Sequence, residues 1–218
     1  DFSGTGNLAS TAGTTLTGGE DGTVQSAAYS AFLSVIEAYD FDTLIYDGDD
    51  SVVLTAMQSF VKRLADDNGQ YCQLVAANVT NPDSRFVINV SSGVTLDDGT
   101  VLTPQQTCWW VGGAEAGAKY NESLTYASYP GAVDASPVRT NNQVIAALNA
   151  GQLVLFAENS VVKVEQDINS LVTYTPDIGK VYRKNRVMRL CNTIANDVYE
   201  QFSQNFVGVV NNNTDGRM

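Results

Sequence analysis

The sequence predicts an α/β fold, with a mixed, mostly parallel central sheet flanked by helices. Two observations predict it. Short buried runs alternate with amphipathic helical stretches across short turns, the pattern of strand–helix–strand units. The chain is also long and apolar enough for one sizeable core: 218 residues, 44% hydrophobic and 17% charged. At that length folding buries roughly 70–75% of the unfolded chain's surface, so no metal or disulfide is needed to hold it. No internal repeat or heptad run suggests a solenoid or coiled coil.

Residues 3–22 are rich in Gly, Thr and Ser and read as loop. Thr23 is placed to cap a helix carrying Ala28, Phe32, Val35, Ile36 and Tyr39. The run 43–46 (TLIY) reads as a buried strand. Asp49 and Asp50 then cap a second helix with the stripe Val53, Met57, Phe60, Val61 and Leu64, stopped by Asn68-Gly69. Residues 71–77 form another buried strand. Residues 85–102 alternate like strands around the turn Asp97-Asp98-Gly99-Thr100. Thr103-Pro104-Gln105-Gln106 combines an N-cap, a proline at the first helical position and a capping-box partner. The helix it opens contains Gly112, Gly113 and Gly117, which implies close packing. Residues 121–136 read as a long loop, 140–150 as a short helix stopped by Gly151, and 153–157 as a strand. An antiparallel strand follows at 161–168. A last helix near 183–206 carries Val187, Leu190, Ile194, Val198 and Phe202 on one face.

Composition removes several function classes. There is no histidine, so no Ser–His–Asp or Cys–His relay and no His-ligated metal site can be built. Twelve basic residues against twenty-four acidic ones give a net charge of −12, which argues against binding nucleic acid or anionic membrane. No apolar run approaches the roughly 20 residues of a membrane span. Cys72, Cys108 and Cys191 are isolated among apolar neighbours and read as reduced, mostly buried thiols. The chain starts at Asp1 without Met and stops at Met218, and reads as part of something longer.

The remaining motifs are weak. Residues 4–9 (GTGNLA) match the letters of a dinucleotide fingerprint but neither follow a strand nor open a helix. Asp47-Gly48-Asp49-Asp50 starts like a calcium loop, yet the twelfth position is Gln58 instead of a bidentate acid. Helix capping explains these acids more simply. No catalytic, cofactor or metal residue is assigned. Strand-end acids such as Asp42 and Asp47 keep open an alternative, an α/β enzyme or nucleotide-binding domain.

Charge segregation says more. Residues 1–61 hold nine acids and no base, whereas Lys180, Arg183, Lys184, Arg186 and Arg189 place five of the twelve bases within ten positions. Cations at the start of a helix oppose its dipole, so the cluster calls for an acidic partner. The expectation is an interface in which Lys180, Arg183, Lys184 and Arg189 meet Asp47, Asp49 and Asp50 of a neighbouring copy, or another acidic surface. The competing reading pairs some of them within their own subunit, Arg186 first, because it adjoins the apolar stripe.

Residues 129–134 (YPGAVD), 150–155 (AGQLVL), 164–171 (VEQDINSL), 184–187 (KNRV) and 194–197 (IAND) together resemble the tail sheath proteins of contractile bacteriophages. So do the early LTGGEDG at 16–22 and the segment from Gly93 to Gly113. The resemblance implies a subtilisin-like core domain at 1–175 without protease chemistry, and the beginning of an α+β C-terminal domain at 176–218. It implies a structural subunit, not an enzyme, from a phage or prophage tail. Its partners would be neighbouring subunits in hexameric rings, a tail tube protein and a baseplate, with no nucleic acid, membrane or cofactor. It would reside in the virion tail and assemble in the bacterial host cytoplasm. Terminal arms pair neighbouring subunits in such proteins. This stretch ends before any such arm, so by itself it is expected to be monomeric or weakly associated.

Overall fold

The computed structural model describes residues 25–208. The glycine-rich opening, the fingerprint-like stretch and Thr23 lie outside them. In chain order the first elements are α1 (Ser26–Ile36), β1 (Thr43–Tyr46), α2 (Ser51–Arg63), β2 (Gln73–Ala77), β3 (Val87–Val90), β4 (Gly93–Leu96) and β5 (Val101–Leu102). Then come α3 (Pro104–Gly117), β6 (Ala132–Ser136), α4 (Asn141–Asn149), β7 (Gln152–Leu153), β8 (Leu155–Glu158), β9 (Val161–Val164) and α5 (Asn185–Asn205). A 3₁₀ turn at Lys180–Arg183 leads into α5.

The central sheet is parallel throughout, in the order β1–β2–β3–β7. Every residue of β2 and β3 is buried, as expected of strands covered on both faces. Alternate side chains of β2 enter two cores: Leu74 and Ala76 join Met57, Phe60 and Val61 of α2, while Val75 and Ala77 meet Cys108 and Val111 of α3. A three-stranded antiparallel sheet, β5–β4–β6, and the hairpin β8–β9 complete the body.

Local chemistry sets the boundaries. Asp50 caps α2 by accepting the Val52 and Val53 amides at 2.8 and 3.4 Å. A π-turn at Leu64–Asn68 ends that helix on Gly69 at φ +68°, where a side chain would be strained. Thr103 and Thr140 each close a capping box, with Gln106 and Gln143, at the starts of α3 and α4. The buried Asn89 in β3 both donates to Val79 O and accepts from Val79 N, each at 2.9 Å, and so pins the loop after β2. Cys72 and Cys108 are fully buried, and burial pushes both thiols up to about 12; Cys191 is half-exposed.

Several local expectations change. The inward line of α1 is Tyr29, Leu33 and Ile36, so Phe32, Val35 and Tyr39 face outward; among the described residues α1 packs mainly against α2, with Tyr29 also meeting Tyr46 of β1. The region 85–102 is not a run of half-buried strands: β3 belongs to the buried parallel sheet, and only β4 and β5 form the hairpin. The loop at 121–136 ends in β6. The strand at 153–157 splits around Val154, with β7 joining the central sheet and β8 pairing with β9. The antiparallel strand expected at 161–168 is regular only through Val164. Of the three glycines in α3, only Gly112 needs to be small, since a Cβ there would lie 2.5 Å from Ile45 Cδ1.

Candidate functional site

The acidic candidates lie where β1 turns into α2. Asp50 is occupied by the α2 cap. Asp47 accepts the indole N–H of Trp109 at 3.1 Å, and Asp49 is exposed without a hydrogen bond among the described residues. Trp109 is itself 57% exposed on α3. The result is an accessible aromatic, of a type enriched at protein interfaces, set beside exposed acids that give the patch its charge. Further back in the same acid-only segment, Glu37 is already paired. Arg63 donates to both of its oxygens at 2.6 and 2.8 Å, and with Asn68 it pulls the Glu37 carboxyl down to about 2.

Asp42 and Asp47 bracket β1 at opposite ends. At about 3.3 Å per residue they stand roughly 16 Å apart along the strand, too far to act on one bond. No group of three potential ligands that could hold a metal ion occurs among the described residues.

The basic candidates separate into two sets. Lys180 and Arg186 are exposed and make no ion pair among the described residues. Arg183 donates to Leu148 O at the end of α4 and to Tyr174 Oη. Lys184 donates to Gln166 Oε1 at 3.0 Å; burial and the neighbouring Arg183, Lys180 and Arg186 push its ammonium down. Arg189 turns into the protein, and Arg186, expected to do so, does not. Asn185, Met188, Arg189 and Asn192 form the inward face of α5 at helical spacing, which rotates Arg186 outward.

Around Arg189 lies a buried polar cluster that sequence reading missed. Its guanidinium pairs with Glu115 of α3, lies 3.9 Å from Asp167, and donates to Glu122 O at 2.7 Å. Asn185 Nδ2 donates to Glu115 Oε1 at 3.1 Å, and Asp167 Oδ2 accepts from Leu124 N at 3.0 Å. One signal was available: Glu115 is the only charged residue in α3.

The outward face of α5 is equally unexpected. Leu190, Ile194, Val198 and Phe202 are 39%, 54%, 62% and 58% exposed. The predicted stripe exists but points away from this core.

Comparison with known proteins matches residues 22–170 to the model of the phage tail sheath protein central domain. The chain belongs to the phage tail sheath family. Among similar proteins, YqbK of Bacillus subtilis is 40% identical over 90% of this chain and 42% of its own length. XkdK of the phage-like element PBSX, from the same organism, is 36% identical over 90% of this chain and 47% of its own. The crystal structure of a sheath tail protein from Desulfitobacterium hafniense superposes with a TM-score of 0.87 at 46% identity, covering 99% of this chain and 51% of that one. The chain thus spans about half the length of the relatives it matches. In this sheath domain the resembling segments fix backbone: 129–134 lead into β6, 150–155 turn α4 into the central sheet, and 164–171 bond through their backbone to Val154 and to Val87 of β3. The α/β class and the largely parallel central sheet are as the sequence predicts.

Proposed function

We propose that the full-length protein is a structural subunit of a contractile phage or prophage tail sheath. It stacks in rings with copies of itself around a tail tube, joins a baseplate, and contracts to drive the tube through a cell envelope. The observation that carries this reading is the sheath central-domain match over residues 22–170. Among the described residues the strand-end acids Asp42 and Asp47 do not converge, which supports a mechanical role over the enzyme alternative. The subunit would assemble in the host cytoplasm and reside in the virion tail; no helix among the described residues is long and apolar enough to cross a membrane. Residues 1–175 act as the core domain, and α5 opens a C-terminal domain whose remainder covers its apolar stripe. Negative-stain electron microscopy of the full-length protein should show tubes or rings. Dispersed monomers at every concentration and salt tested, or a saturable thermal shift with a nucleotide, would reject this reading.

Copies of a −12 chain repel one another unless opposite patches meet. In the proposed contact Lys180 and Arg186 of one subunit face Asp47 and Asp49 near Trp109 of the next, or an acidic patch of the tube. Each exposed pair contributes only about 0–1 kcal/mol, weak enough to break and reform singly while many together set register. The double variant Lys180→Glu, Arg186→Glu is expected to shift assembly of the full-length protein to lower yield and alter its salt dependence. Reversing Asp47 and Asp49 in the same background should restore it if the neighbouring subunit is the partner. Unchanged assembly at all ionic strengths would exclude the contact.

A further inference from the structure

Two carboxyl groups, Glu115 and Asp167, share one guanidinium in a largely buried site. Glu115 and Asp167 side chains are 3% and 1% exposed, and that of Arg189 is 13%. Two carboxylates and one cation would leave a net negative charge in a low-dielectric interior, which such sites avoid by retaining a proton. One atom marks where the proton goes. Asp167 Oδ1 is buried and has no hydrogen-bond partner among the described residues, whereas Oδ2 accepts from Leu124 N and Ser123 Oγ. A carboxylate oxygen cannot donate to it, but a protonated Glu115 can, and the Arg189 guanidinium that both carboxyl groups flank holds the two side by side.

We infer that Glu115 keeps its proton, shares it with Asp167 Oδ1, and so closes a clasp that fastens α5 to the core, and that α5 loosens when this proton is lost. The clasp joins separate parts of the fold: Glu115 from α3, Asp167 from the segment after β9, and Asn185 and Arg189 from α5. Gln73 at the start of β2 donates weakly to Asn185 Oδ1. Other groups face the cluster. Asp42, Tyr71 and Tyr120 line an adjoining cleft of about 150 Å³ together with Thr193 and Arg189 itself, and Lys184 lies near enough to feel the Asp167 charge. The cleft gives the departing proton its route to solvent. The inference does not depend on the sheath assignment.

Burial, then the charge of Asp167 and the hydrogen bond to it, push the Glu115 carboxyl up to about 8 from an ordinary 4.5, against the opposing pull of Arg189. The closed state therefore binds more protons than a loosened state in which Glu115 meets water. The attachment is complete below the ordinary carboxyl range, weakens as pH rises, and has lost this contribution above about 8. The direction is opposite to that of a salt-bridged carboxylate, which weakens in acid.

Hydrogen exchange along α5, corrected for intrinsic base catalysis, tests this on the folded chain. Between about pH 5 and about pH 8 the opening of the amides at 188–192 is expected to rise by up to roughly tenfold per pH unit and then level off. Glu115→Gln, which keeps a donor for Asp167 Oδ1 but cannot ionise, should flatten that profile. An equal slope in Glu115→Gln, or a flat profile in the unsubstituted protein, overturns the clasp. Should the variant fail to fold, the side-chain carboxyl carbon resonance of Glu115 in the unsubstituted protein decides. Titration well above the other glutamates supports the clasp, and titration among them overturns it.

Discussion

Replacing Gly151 with alanine is expected to destabilise the domain by about 2–6 kcal/mol, from left-handed backbone strain and overpacking together. Gly151 stands between α4 and β7 at φ +75°, and a Cβ there would lie 2.6 Å from Ser170 O. That oxygen is backbone, in a segment tied alongside β3, where Ser170 N donates to Val87 O at 2.9 Å. Neither partner can swing away as a flexible side chain would. Gly113→Ala is the matched control. It lies inside α3 with nothing among the described residues within 4 Å of an added Cβ, and should stabilise by about 0.5–1 kcal/mol. Denaturant midpoints measured side by side settle the matter. Equal, small shifts in the two variants would mean that the chain behind Gly151 moves freely.

Arg189→Ala should cost about 3–5 kcal/mol, the usual penalty for stripping one partner from a buried ion cluster. The loss is mainly electrostatic, because Glu115 and Asp167 keep their burial and lose their cation. Arg189→Met, which restores the apolar stem, should recover only a minor part. The deficit should be smallest in acid, where Glu115 is protonated, and grow toward alkaline pH. Equilibrium unfolding at two pH values measures both. Near-complete rescue by methionine would show that the stem, not the charge, holds α5.

How much of this was legible depends on the range of the signal. The caps at Asp50, Thr103 and Thr140 and the stop at Gly69 were readable because the bonds that form them lie within a few residues. The stripe of α2 was readable because both its spacing and its burial point one way. In α5 the same spacing misleads. Periodicity identifies an apolar face but not what it packs against, and here the inward face is the polar one, Asn185, Arg189 and Asn192. The division of 153–157 between two sheets depends on partners near residues 90 and 164, which local pattern cannot supply. The candidate cations were found as a cluster, but their separate roles follow from helix rotation. The Glu115–Asp167–Arg189 cluster joins residues 22 to 74 positions apart and had only the lone charge of α3 to announce it.

The placement of α5 has a mechanical consequence. Its buried residues are Asn185 and Met188, near one end, and the helix continues for about 24 Å beyond Arg189 at 1.5 Å per residue. Its far half faces Glu37, Asp42 and Gln70 across an open cleft, so a rod held firmly at its base has room to swing there. A tilt of about 10° at the grip would carry its far tip sideways by roughly 4 Å, about three-quarters of the pitch of one helical turn. Sub-ångström adjustments among Glu115, Asp167 and Arg189 would thus be magnified at Phe202, where the exposed aromatic surface is carried.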